Sequence, residues 1–183
     1  MTGADRRDPR GTLHVTRGEY AISDDPARLD HAAIFHLITT AFWGVGLDAA
    51  VVRRSTENSH AFGVFRGDRQ IGFARVITDY ARFAYIADVV IAKEEQGKGL
   101  GKWLVETMLS HPALQHVRGW MLSTTDAHEL YRRYGFAEAD ARMVMRRAVP
   151  APPPADPHQL ADSSDDMGGE SACQMHRFYD LEE

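Results

Sequence analysis

The segment Gln96-Gly97-Lys98-Gly99-Leu100-Gly101-Lys102 joins two apolar stretches of different period. Before it, residues 83–91 are apolar apart from Asp88, as expected of a strand covered on both faces. After it, Leu100, Leu104, Val105, Met108 and Leu109 recur at helical spacing. Pro112 closes that helix, because the residue before a proline is pushed out of the helical region. Glycines between a strand and a helix let backbone approach a ligand closely. Successive amides form an anion-binding nest, and the helix start adds unpaired donors. Such a loop suits a pyrophosphate. A Walker-A loop would need glycine where Gln96 stands and Ser or Thr where Trp103 stands, so that reading fails twice. A Rossmann fingerprint needs G-x-G-x-x-G after an early strand, whereas the spacing here is G-x-G-x-G and several strands come first.

Toward the N-terminus, Leu13, Val15, Tyr20 and Ile22 suggest a first strand and its exit. Ser23-Asp24-Asp25-Pro26 is a helix-start signal, followed by Ile34, Leu37, Ile38 and Ala41 at helical spacing. Trp43 to Gly46 breaks that helix, and a second short one is expected over 47–57. Strands are expected at 61–65, 70–78 and 83–91, with Arg66-Gly67-Asp68-Arg69 and Tyr80-Ala81-Arg82 as the turns. Downstream, a short strand at 120–123, a helix from Asp126 to Gly135 and a last strand at 143–145 complete the pattern. Asp126 with Glu129 reads as a capping box for that helix.

The 183 residues allow one compact domain with chain to spare. Residues 1–11 read as a disordered lead and residues 12–149 as the folded domain. Residues 150–183 read as a proline-rich linker and an acidic, disordered tail. The tail carries a formal charge of −7, leaving +2 on the rest. A near-neutral folded part argues against a duplex-binding face, which needs clustered basic surface. Cys173 is alone, so no disulfide forms within the chain. No apolar run approaches a membrane span, and the polar start lacks the pattern of a signal peptide, so a cytoplasmic protein is expected. The histidines show no ligand spacing with cysteine or acids, and no metal site is expected.

The glycine segment resembles the [QR]-x-x-G-x-[GA] signature of the GNAT acetyltransferase superfamily, with Gln96, Gly99 and Gly101 at its fixed positions. Tyr131-Arg132-Arg133-Tyr134-Gly135-Phe136 resembles the tyrosine-to-Gly-Phe pattern near the end of such domains, and the likeness runs from about Leu13 to Arg147. The resemblance implies an α/β (α+β) domain: a mixed, mostly antiparallel sheet flanked by helices. It implies acetyl-CoA as co-substrate. The pyrophosphate would lie on the amides of Gln96, Gly97, Lys98, Gly99, Leu100, Gly101 and Lys102. The pantetheine arm would run beside Val89, Val90 and Ile91 like an added strand. The Lys98 and Lys102 side chains are either phosphate contacts or ordinary surface lysines.

The chemistry expected is transfer of acetyl to a primary amine by direct attack in a ternary complex. The resemblance places Tyr131 near the sulfur, as the acid for the leaving thiolate, and Tyr134 reads as structural. Asp88 interrupts an apolar strand, where a carboxylate is costly unless paired or wet, and is the candidate base or amine anchor, with a structural role as the alternative. Phe42, Trp43, Asp79 and Tyr80 are the acceptor-pocket candidates. His36 and His128 read as packing or surface residues. A small-molecule amine is the favoured acceptor; a protein lysine or N-terminus, or a non-catalytic acyl-CoA sensor, are the alternatives. No nucleic-acid or membrane partner is expected, and homodimerisation is possible.

Overall fold

A computed structural model describes residues 12–145 and 147 of the chain. The expected disordered lead and the acidic tail lie outside the described residues. The chain divides into two compact units, Met1–Arg133 and Tyr134–Glu183.

In the first unit, six strands form one sheet in simple chain order. They are β1 (His14–Arg17), β2 (Tyr20–Ser23), β3 (His60–Arg66), β4 (Arg69–Thr78), β5 (Phe83–Ile91) and β6 (Gly119–Leu122). All neighbours pair antiparallel except β5 with β6, which run parallel. The sheet is therefore mixed and mostly antiparallel, as the resemblance implies. The first expected strand is in fact a hairpin, because the chain reverses at Gly18 and pairs Val15 with Ile22.

Helices α1 (His31–Thr39) and α2 (Ala49–Glu57) cover one face of the sheet, where Ile34, Leu37, Ile38 and Val52 pack on Ala61 and Phe73. Adjacent strand residues point to opposite faces. Phe62, next to Ala61, meets the His111 ring at the far end of α3 (Leu100–Ser110), on the other face. α3 buries Leu100, Trp103, Leu104, Val105, Thr107 and Met108, a stripe at helical spacing. Its C-cap, His111, has extended backbone (ψ 128°) ahead of Pro112.

Local capping departs from expectation in two places. Asp25 and Pro26 open only a single 3-10 turn, Pro26–Arg28, and α1 is instead capped by Asp30, whose Oδ1 accepts the Ala32 and Ala33 N–H groups. The expected Asp126–Glu129 capping box does not form. The short helix α4 (His128–Arg132) starts at Ala127 with no side-chain cap, and Glu129 turns toward Arg132 instead, at 2.5 Å.

In the second unit, the expected strand at 143–145 is absent among the described residues. Asp140 caps a 3-10 turn, Ala141–Met143, and Val144 and Met145 are exposed.

Leu104 is fully buried at the centre of the α3 stripe. Leu104→Ala is expected to cost about 2–5 kcal/mol, read as a lower urea midpoint at unchanged slope.

Candidate active site

The register of β5 creates the site. Its pairing with β6 runs only from Phe83 to Ile86, whereas its pairing with β4 continues to Ile91. Beyond Ile86, the edge facing away from β4 therefore has no strand partner among the described residues, and its backbone groups need one. The β4–β5 ladder shifts register between Phe73 and Arg75, and Asp88 sits in that bulge with φ +54°. A β-bulge bends and twists the strand that carries it.

Asp88 is not an isolated carboxylate. Its Oδ2 accepts a 2.5 Å bond from Arg75 Nε, and Arg75 also donates to Ser59 Oγ. Both members of the ion pair are mostly buried. The strand pairing that places Arg75 opposite this bulge answers the cost of a carboxylate in an apolar strand.

The glycine loop follows directly. Lys93–Glu95 makes a 3-10 turn, Gln96 Nε2 donates to the Ile91 carbonyl at 2.9 Å, and Gly99 caps α3. Gly97 (φ +78°) and Gly99 (φ +75°) occupy the left-handed region that other residues avoid. A side chain built at either would meet nothing within 4 Å, so the loop faces open space. Trp103 N–H reaches the Gly99 carbonyl, and the amides before it belong to the first turn, where no intrahelical acceptor exists. An open helix start of this kind can receive an anion, and an unpartnered strand edge can receive an extended amide-bearing ligand.

The Lys98 side chain is engaged elsewhere. Its ammonium lies 2.6 Å from Glu95 Oε2 and 3.3 Å from Tyr20 Oη. Glu95 also accepts from Tyr20 Oη and Arg66 Nη1. Its side chain is 3 % exposed. The Lys98 bond, with those of Tyr20 and Arg66, outweighs desolvation and holds the Glu95 carboxyl down at about 2. This cluster ties the entry of the loop to β2 and β3, and sequence reading missed it: only Glu95 and Lys98 are near one another in the chain.

A cleft of about 720 Å³ opens where β5 loses β6. Val90, Ile91 and Gln96 line one side, α1 the other, and Phe42, Trp43 and Asp126 also contribute. His36 lies on its wall too. Asp79 and Tyr80, expected at the acceptor pocket, are not among the lining residues. Asp79 Oδ1 instead accepts the N–H groups of Phe83, Ala81 and Arg82, which hold its carboxyl at about 2 and shape the β4–β5 turn. The Tyr80 hydroxyl lies 3.2 Å from His60 Nδ1. Tyr131 is buried on α4, and its hydroxyl is pushed up to about 12 by desolvation and by the charge of Asp126.

Three possible metal donors converge away from this cleft, contrary to the expectation from spacing: Asp24, His60 and His111. Asp24 Oδ2 is 2.8 Å from His60 Nε2 and 2.9 Å from His111 Nε2, and Oδ1 accepts the Leu13 N–H. His111 Nδ1 accepts the Ala113 N–H at 3.2 Å, so the ring proton sits on Nε2, aimed at Asp24. A metal at Nε2 would displace that proton and leave Nδ1 facing a donor. The donor set thus fits a hydrogen-bonded clamp better than a metal. Burial opposes ionisation of Asp24, but the donors from His111, His60 and Leu13 prevail and hold its carboxyl well below the usual range.

Comparison with known proteins agrees with the geometry. The acetyltransferase (GNAT) domain family profile matches residues 57–138. A Gibberella zeae protein assigned as an acetyltransferase, FG08082, is 33% identical over 139 residues, which are 63% of this chain and 77% of that protein. A solved protein of Xanthomonas campestris assigned to the GNAT family is 40% identical, with a TM-score of 0.68 over 72% of this chain and 94% of that one. A GNAT acetyltransferase of Elizabethkingia anophelis, solved with acetyl-CoA bound, shares the fold at 15% identity, with a TM-score of 0.55 over 68% of this chain and 80% of that one. The fold and these relatives define the class as an acyl-CoA-dependent transferase. The chain belongs to the GNAT acetyltransferase family, whose members use acetyl-CoA. No described helix is long and apolar enough to cross a membrane.

The Glu95 carboxyl, held at about 2 against an ordinary 4.5, contributes stability that is complete above pH 4.5 and lost as pH falls through 2. Glu95→Gln is expected to lower the melting temperature at pH 7. It should also give a shallower fall in melting temperature than wild type between pH 5 and 2, measured by circular dichroism across that range.

Proposed function

We propose that this acetyltransferase transfers the acetyl group of acetyl-CoA to the primary amine of a small molecule, by direct attack in a ternary complex. The observation that carries the reading is the meeting of the open β5 edge, at Val90 and Ile91, with a cleft of about 720 Å³. That volume lies within the range typical of small-molecule sites, about 300–1,000 Å³.

In this reading the amides from Gln96 to Lys102 hold the diphosphate, and backbone groups of Val89, Val90 and Ile91 align the pantetheine arm. The Lys98 side chain serves the loop through Glu95. The amine must lose its proton to water in the cleft before it attacks, because an alkylammonium has no lone pair to offer. An N–H on the open edge near Val89 or Val90 is the donor for the developing oxyanion. Asp88, spanned by Arg75, acts as a positioning residue for the bulge that bends this edge.

Tyr131 has a task at the sulfur. A hydroxyl pushed up to about 12 stays protonated at neutral pH. A thiol pKa is only about 8.5, so complete transfer from that phenol is uphill. Tyr131 is therefore assigned as a hydrogen-bond donor to the departing thiolate, with solvent completing the protonation.

Tyr131→Phe should lower kcat by about 100-fold, the effect of losing one well-placed donor, and leave the acetyl-CoA Kd within about twofold by calorimetry. Unchanged turnover would remove Tyr131 from the mechanism. Absence of acetyl-CoA binding by the wild type would overturn the whole reading.

A further inference from the structure

Granted the amine acetylation proposed above, the walls of the cleft carry information on the acceptor. One wall presents the rings of Phe42 and Trp43, 60 % and 44 % exposed, in an edge-to-face pair with centroids 5.0 Å apart. Open aromatic faces attract organic cations. Asp126 lines the same cleft, and among the described residues its carboxylate takes part in no hydrogen bond or ion pair. Asp68, on the turn between β3 and β4, also lines the cleft without a hydrogen bond or ion pair among the described residues, whereas the other neighbouring acids are engaged. Asp30 is occupied with the start of α1, and Glu94 pairs with Arg69. Lys93 sits beside the glycine loop, at the end where a diphosphate would lie.

Asp126 also immediately precedes Ala127, the N-cap of the helix that carries Tyr131. Its charge is felt at the Tyr131 hydroxyl, five residues on in the chain. That closeness sets a constraint. A carboxylate beside an ammonium keeps it protonated, and a protonated nitrogen cannot attack a thioester. Asp126 and the two rings together suit an anchor for a retained charge, which is assigned to a nitrogen other than the one that reacts. A phosphorylated amine would place its anion in a cleft with an unneutralised carboxylate.

We propose that the acceptor is a diamine or polyamine, one ammonium of which rests against Asp126, Phe42 and Trp43 while a second, neutral amine attacks. The reaction balances with no further reactant: the C–N bond forms, the C–S bond breaks, and the proton lost by the attacking nitrogen is matched by one gained at sulfur through solvent. The held ammonium is unchanged.

The test uses the full chain, acetyl-CoA and three amines of equal length: 1,5-diaminopentane, pentylamine and 5-aminopentanoate. Free thiol release gives kcat/KM for each, and mass spectrometry confirms the product. The diamine is expected to exceed pentylamine by about tenfold or more, and 5-aminopentanoate to be poorest. Asp126→Asn should bring the diamine-to-pentylamine ratio to within about twofold of one, and Trp43→Ala should reduce it. In both variants the melting temperature and the calorimetric Kd for acetyl-CoA should stay close to wild type. A wild-type ratio near one, a ratio unchanged by Asp126→Asn, or 5-aminopentanoate as good as the diamine would overturn the proposal. Acetyl-CoA binding without diamine turnover would refute the diamine and leave the transferase reading standing. No acetyl-CoA binding would remove both.

Discussion

β5 keeps its antiparallel partner to Ile91 but loses its parallel partner after Ile86. The second half of β5, a partly buried strand next to the sheet edge, thus has one side with no strand partner among the described residues, and peptide groups left there are costly unless water or a ligand satisfies them. The bulge at Asp88 belongs to this departure. A non-glycine residue at φ +54° persists only when its surroundings hold it, and the Arg75 guanidinium is positioned to do so. The cleft, the loop that begins at Gln96 and the first turn of α3 are all placed relative to that open edge.

Charge is arranged around the loop so that its backbone, more than its side chains, is offered to an anion. Lys98 reads from the sequence as either a phosphate contact or a surface lysine, yet its ammonium is held by a buried glutamate that Tyr20 and Arg66 also bind. The loop entrance is thereby pinned to the far half of the sheet. At the opposite end of α3, Asp24 gathers His60 and His111 and joins the exit of β2, the start of β3 and the end of α3. Two buried networks of opposite make-up, one glutamate among cations and a phenol, one aspartate between imidazoles, secure the elements on which the site stands.

Strands β3, β4 and β5, α3 and the glycine loop were legible, because their signals are local: apolar runs, a 3.6-residue period, glycines between them and Pro112 as a stop. The β1–β2 hairpin read as one strand, and the strand expected at 143–145 is absent among the described residues. Phe42 and Trp43 were legible as a helix break beside aromatic residues. The capping of α4 was not. Asp126 and Glu129 have the spacing of a capping box, but Glu129 pairs with Arg132 and Asp126 lines the cleft instead. The same competition moved Asp79 from pocket to turn, where three backbone donors claim its carboxylate.

Order along the chain is enough to carry a resemblance to a family, and through it an expected ligand, since the glycine signature and the Tyr131–Phe136 segment each span only a few residues. Which carboxylate is paired and which is open is a different kind of fact. Arg75 and Asp88 meet across a ladder, Tyr20 and Glu95 across the sheet, and Asp24, His60 and His111 across three elements. Those partnerships exist only once strands have chosen their register, because a shift of one residue would send each side chain to the opposite face.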